Sequence, residues 1–204
     1  NVTANGTADT AEQRIGIRTI QVSSKTGLLL NGQPRTMKGG CIHHDLGILG
    51  AADHAAAERR RIRLMKESGF DAIRAAHNPF GPAFLNACDE LGMLVVEEAF
   101  DEWVMGRTSF GLHVTFEQCW EKDLEDMITR DYNHPCIVMW STGNEVEERD
   151  GTADGFAWAK RLANKVRSLD ASRPVSATAC ALFSEYGNRP AGGTTGNQAL
   201  NMAY

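Results

Sequence analysis

The spacing of hydrophobic positions changes near residue 34. Before it, Ile15-Gly16-Ile17-Arg18-Thr19-Ile20-Gln21-Val22 alternates apolar and polar, the period of a half-buried strand. Leu28-Leu29-Leu30 then runs into Asn31-Gly32, a strand meeting a turn. No helical period occurs in this stretch. It reads as the tail of a β domain, so residues 1–30 are expected to end a β-sandwich and its linker, and residues 31–204 to form a second unit.

From about residue 34 the pattern becomes strand, loop, helix, repeated. Short apolar runs predict strands at 36–41, 72–75, 94–97, 137–141 and 175–178. A helix is expected over 53–68, stopping at Gly69, and a second from Pro82, well suited to a first helical position, to Gly92. The third opens on Thr115 and Gln118, spaced as a capping box, and places Phe116, Trp120, Leu124 and Ile128 on one face. The fourth lines up Trp158, Leu162, Val166 and Leu169. Five βα units in succession imply an α/β fold with a parallel sheet. A complete (β/α)8 TIM barrel takes about 250 residues, so an incomplete barrel of about five units is expected. A doubly wound open sheet is the alternative, but no glycine-rich nucleotide turn is present.

Composition narrows the chemistry. A net charge of −5 with no basic block leaves no nucleic-acid footprint. The run Arg59-Arg60-Arg61-Ile62-Arg63 reads as the solvated face of a helix. The five cysteines, Cys41, Cys88, Cys119, Cys136 and Cys180, show no zinc or CxxC spacing and read as buried, reduced residues. No apolar run is long enough for a membrane span, and the first residues lack the features of a signal peptide.

Polar residues gather where the strands end, the face on which barrel enzymes build their sites. His43-His44-Asp45 follow the first strand, Arg74 and His77-Asn78-Pro79 the second. Glu97-Glu98 and Asp101-Glu102 follow the third, and Ser141-Thr142-Gly143-Asn144-Glu145 the fourth. Each has a bland reading alone: Glu145 as a helix-start carboxylate, Arg74 with Glu97 or Glu98 as a structural ion pair, His77 as a hydrogen-bonded loop residue. Adjacent His43 and His44 point to opposite sides of a strand and do not share one ion. Their coincidence at four successive strand ends points to one mouth.

These segments resemble glycoside hydrolase family 2, the β-galactosidases, β-glucuronidases and β-mannosidases. The resemblance rests on Leu30-Asn31-Gly32, on Phe70 to Pro79, on Cys88-Asp89-Glu90-Leu91-Gly92-Met93 through Glu98, on Arg130 to Pro135 and on Trp140 to Glu145. It implies a partial TIM-barrel catalytic domain, preceded by the tail of an immunoglobulin-like β-sandwich, in a bacterial cytoplasmic or periplasmic protein. It also implies a retaining hydrolase, in which Glu145 would be the general acid/base, with Asn144, His77, His43, Arg74 and Glu98 around the sugar. Galactosidases are the nearest in pattern. The substrate would be a β-linked oligosaccharide or glycoside, with no nucleic-acid or membrane partner.

A retaining hydrolase needs a second carboxylate about 5–5.5 Å from the first. Proximity to that charge, with partial burial, is expected to keep Glu145 protonated near neutrality. Glu185 in Ser184-Glu185-Tyr186 is a candidate nucleophile, but it follows the fifth strand, whereas the family's follows the seventh. The nucleophile is therefore expected beyond Tyr204, and this chain alone is expected to be inactive. No cofactor is required. Glu102 falls where some relatives hold magnesium, although Val104 stands where a histidine ligand is expected. Rival readings are a non-catalytic carbohydrate-binding barrel piece and a metal-dependent hydrolase using His43, His77 and Glu102. Exposed sheet edges at the first and fifth strands would favour pairing with another copy, a homo-oligomer.

Overall fold

The computed structural model describes residues 2–4, 7–10, 12, 14–150 and 152–178. Val2–Ala4 (β1) and Thr7–Asp9 (β2) pair antiparallel. Ile20–Ser23 (β3), Gly27–Leu30 (β4) and Gln33–Pro34 (β5) form a second antiparallel sheet. The β4–β5 turn is Asn31-Gly32, with φ of 51° and 73°. A two-residue hairpin requires that backbone, and asparagine and glycine adopt it at least cost.

The strand expected over 15–22 starts only at Ile20. β4 is too short to pair with the residues before it. Arg18 instead reaches away, donating to the carbonyls of Pro135 (3.0 Å) and Ile137 (2.7 Å). The sheet β3–β5 straddles residue 30, where a boundary was expected. Ile20, Leu30 and Met37 pack on Ala72, Leu94 and Val138, so this sheet covers the N-terminal ends of the strands that follow. The described residues before it form no sandwich.

Gly39–His43 (β6), Ala72–Ala76 (β7), Leu94–Glu98 (β8), Ile137–Asn144 (β9) and Val175–Thr178 (β10) make one parallel sheet in that order. Ala55–Glu67 (α1), Pro82–Leu91 (α2), Phe116–Asp131 (α3) and Gly155–Leu169 (α4) lie between successive strands. Every strand sits beside its predecessor and the order never reverses. A doubly wound sheet reverses at a switch point, whereas a barrel wall advances one way. The described strands are the first five of a TIM barrel.

Several ends move from their expected positions. The first barrel strand was expected at 36–41 but begins at Gly39, because Asp71 holds its lead-in, accepting from Lys38 N (2.6 Å) and Arg35 (3.0 Å). Gly39 lets β6 approach β7 closely; a Cβ there would collide with the Ala72 carbonyl. α1 starts at Ala55, not at residue 53. Asp53 caps the next helix instead, accepting from Ala83 N (2.9 Å) and Phe84 N (3.2 Å) beside Pro82. The Thr115–Gln118 capping box does not form, since the Thr115 side chain makes no cap bond and its hydroxyl turns to Leu112 O. The aromatic face of α3 behaves as expected. Phe116 bridges Phe100 and Trp158, each with ring centroids 5.2 Å apart, and Trp120 meets Trp158 at 5.7 Å.

The arginine run is not simply solvated. Arg59 bridges α1 to Glu90 on α2 (2.7 Å). Arg61 pairs with Glu58 (2.6 Å), lies over Phe80 and Phe84, and donates to the carbonyls of His43 (3.0 Å) and Asp45 (3.2 Å). It therefore anchors the loop that leaves β6.

Glu97 faces the helix layer, fully enclosed. Its Oε1 accepts from Phe80 N (2.7 Å), while Oε2 has no partner among the described residues. Burial, then the charge of Asp131, pushes its carboxyl well above the usual range. An acid raised in the folded state stabilises the fold most below its unfolded pKa of about 4.3, and that stability declines as pH rises toward the folded value. Glu97→Gln is therefore expected to raise the melting temperature at pH 7–8, with the gap closing below about pH 4. Equal destabilisation at every pH, by calorimetry, would refute the assignment.

Candidate active site

The barrel-facing residues at the C-terminal ends of β6 to β9 converge. Register places Cys41, Arg74 and Val96 side by side, and Glu98 beside Ser141. Glu98 is fully enclosed at the centre. Arg74 donates to it from Nε (2.9 Å to Oε2) and Nη2 (2.6 Å to Oε2), Ser141 Oγ donates to Oε2 (2.6 Å), and His77 Nδ1 lies 2.8 Å from Oε1. With a carboxylate acceptor, Nδ1 of His77 carries the hydrogen, which fixes the ring and its tautomer. Glu98, expected among the residues around the sugar, is thus enclosed in this structure and bonded to Arg74 and His77.

Arg74 Nη2 also donates to Asn144 Oδ1 (2.9 Å). The Asn144 amide donates through Nδ2 to Asp101 Oδ1 (2.8 Å). The amide orientation is therefore set from both ends. Asn144 is the last residue of β9, three beyond the expected strand end at 141. Glu145 follows with φ 45°, a left-handed backbone unusual for glutamate. Strained positions of this kind cost about 1–3 kcal/mol and cluster at functional sites. The turn leaves the Glu145 side chain 45% exposed, with Arg107 Nη1 3.8 Å from Oε2.

His43 meets His77 edge to face at 5.1 Å, while His44 turns the other way onto Phe80 at 4.2 Å. The adjacent histidines do face opposite sides. His43, His77, Arg74, Glu98, Asn144 and Glu145 thus form one continuous cluster, linked through Asp101 and Arg107. The loop after β8 supplies these last two. Asp101 was noted only as a polar strand end, and Arg107 carries no sequence signal: it sits in Gly106-Arg107-Thr108-Ser109, a stretch without periodicity.

Glu102 does not fit a magnesium site. Both its oxygens are committed: Oε2 to Arg107 N (2.9 Å), and Oε1 to His113 N (3.0 Å) and His113 Nδ1 (2.9 Å). Burial alone would raise its carboxyl, but these donors hold it below the usual range. Val104 adds no ligand atom. His43, His77 and Glu102 do not gather as a ligand set either. Among the described residues, the three-ligand grouping is Asp89, His134 and Cys136, and it is already bonded internally: Asp89 receives His134 Nδ1 (2.6 Å) and Cys136 N (2.9 Å). The Asn-His-Pro segment is therefore a structural brace.

Cys88 and Cys136 are buried as expected and Cys119 half so, but Cys41 is exposed, beside Arg74 Nη1. β6 is the edge of the described sheet, which leaves Cys41 uncovered on the barrel side. Cys180 and Glu185 lie outside the described residues. Among the described helices, none is long and apolar enough to cross a membrane.

The described strands form a one-directional parallel barrel wall, with an asparagine–glutamate pair and a buried arginine–carboxylate cluster at its C-terminal mouth. Residues 20–186 match the family described as "Glycosyl hydrolases family 2, TIM barrel domain", and the chain belongs to glycosyl hydrolase family 2. It is 37% identical over 193 residues to a beta-galactosidase of Bacteroides ovatus, covering 80% of this chain and 23% of that protein. A putative beta-glucuronidase of Formosa agariphila is 37% identical over 147 residues, covering 72% of this chain and 14% of that protein. Among solved structures, a family 2 member from Bacteroides cellulosilyticus superposes with a TM-score of 0.83 at 41% identity, over 93% of this chain and 23% of that one. A beta-galacturonidase from Eisenbergiella tayi, bound to galacturonate, gives 0.72 at 32%, over 82% and 29%. The chain spans about a quarter of the length of the first of these relatives.

Proposed function

We propose that this domain carries the acid/base half of a retaining β-glycosidase, with a neutral, galactose-type sugar as substrate. The observation that carries it is the Asn144–Glu145 pair: an amide fixed from both sides, followed by a carboxyl turned to the mouth by a left-handed backbone. Glu145 protonates the glycosidic oxygen as the leaving group departs, then takes a proton from water in the second step. Among the described residues Asn144 Nδ2 donates only to Asp101, which leaves its second N–H for a sugar hydroxyl. The nucleophile comes from a later strand end of the barrel, outside the described residues.

Charge favours a neutral sugar. Arg74 is taken up by Glu98, and Arg107 by Asp101 and Glu145. No cation of the described cluster is left over for a uronate carboxylate. The complete enzyme is therefore expected to turn over an aryl β-galactoside faster than the matching β-glucuronide or β-galacturonide. NMR of the first-formed sugar should show the β anomer. A preference for either uronide would refute the neutral-sugar reading, and an α anomer formed first would refute retention.

A further inference from the structure

The loop from Asp101 to Arg107 is braced more heavily than a surface connection needs. Trp103 is fully buried and its Nε1 donates to Thr142 O (2.8 Å), tying the loop to β9. Met105 N donates to the buried Glu148 (2.5 Å), and Arg107 N to Glu102 Oε2 (2.9 Å). Gly111 lets Glu102 in; a Cβ there would collide with its Oε1. At the end of this brace, Arg107 Nη2 donates to the carbonyl and the carboxylate of Asp101, and Nη1 lies 3.8 Å from Glu145 Oε2. The same Asp101 oxygen receives Asn144. One loop thus holds both members of the Asn144–Glu145 pair.

We propose that Arg107, locked by Asp101, is a positioning residue for Glu145, a role that rests on Glu145 being the acid/base. In the first step the Glu145 proton moves to the glycosidic oxygen, the C1–O bond breaks with its electron pair on the leaving group, and the nucleophile carboxylate bonds C1. Glu145 is left as a carboxylate. A guanidinium already in place meets that charge as it develops, without reorganisation. Glu102 and Glu148 hold the backbone that aims it. The cation beside the acid is built into the chain, at a place where Glu102 does not fit a metal.

The test is the dependence of kcat/KM on leaving group in the complete enzyme. Phenyl and 2,4-dinitrophenyl glycosides would be used, made from the sugar that the wild type hydrolyses fastest. A phenolate that leaves easily needs little proton donation. Arg107→Met should lose about 10- to 100-fold on the phenyl glycoside and little on the dinitrophenyl one, and Arg107→Lys should recover part of the loss. A loss equal for both leaving groups, or one carried by KM alone, would overturn the proposal in favour of a structural or sugar-binding role. Glu145→Gln is measured alongside. If it shows the leaving-group dependence and Arg107→Met does not, this inference alone falls. If Glu145→Gln shows none, the acid/base reading falls and takes this one with it.

Discussion

Glu145→Gln should lower kcat/KM for an unactivated glycoside by about 10²- to 10⁴-fold, the usual contribution of a positioned proton donor. Its stability should stay within about 0.5 kcal/mol of the wild type, the range for surface substitutions. The two halves follow from one geometry. The side chain is 45% exposed and meets Arg107 only at 3.8 Å, so the isosteric amide disturbs little packing. It does remove the proton that must move and the carboxylate that must later accept one. A binding residue would instead lose affinity with turnover preserved, and steady-state kinetics with a denaturant titration separates the cases.

Arg74→Met should behave in the opposite way. Glu98 is fully enclosed, and Arg74 is the cation that meets it. Removing one partner of a buried ion pair leaves an uncompensated charge and costs about 3–5 kcal/mol, whereas replacing both is far milder. Arg74→Met is therefore expected to destabilise the barrel by that amount, and Arg74→Met/Glu98→Gln to recover much of it. A single variant as stable as the wild type in a denaturant titration would mean that the pair contributes nothing to the fold. Activity falls in either variant, because Asn144 loses the donor that fixes its amide.

The barrel was legible in the chain because its signals are local. Apolar runs of four or five residues, a proline at a helix start and a glycine after a helix end each act within a few positions, and β7, β8, β9 and β10 lie close to where the pattern puts them. The candidate site was legible for the same reason: Arg74 lies within one strand of a repeated unit, Glu98 and Asn144 end the next two, and Glu145 follows directly. What was not legible depends on pairings distant in the chain. Asp53 caps a helix starting 29 residues later (82 − 53 = 29). Arg61 belongs to a charged run yet serves the loop after β6. Glu97 and Glu98 are neighbours in sequence, but the strand turns one into the helix layer and the other to the barrel centre. Arg107 gains its place only because Glu102, Trp103 and Glu148 fold the loop beneath it.

In the proposed function Glu145 donates and then recovers the proton in a double-displacement reaction. The product of Glu145→Ala in the presence of azide tests it most directly. Removing the side chain opens a space on the leaving-group side, and a small anion entering there can attack the glycosyl-enzyme without base assistance. Turnover of a dinitrophenyl glycoside restored by azide, with a β-glycosyl azide as product, is the expected result. Failure of azide to restore turnover, or an α-glycosyl azide, would contradict the role given to Glu145.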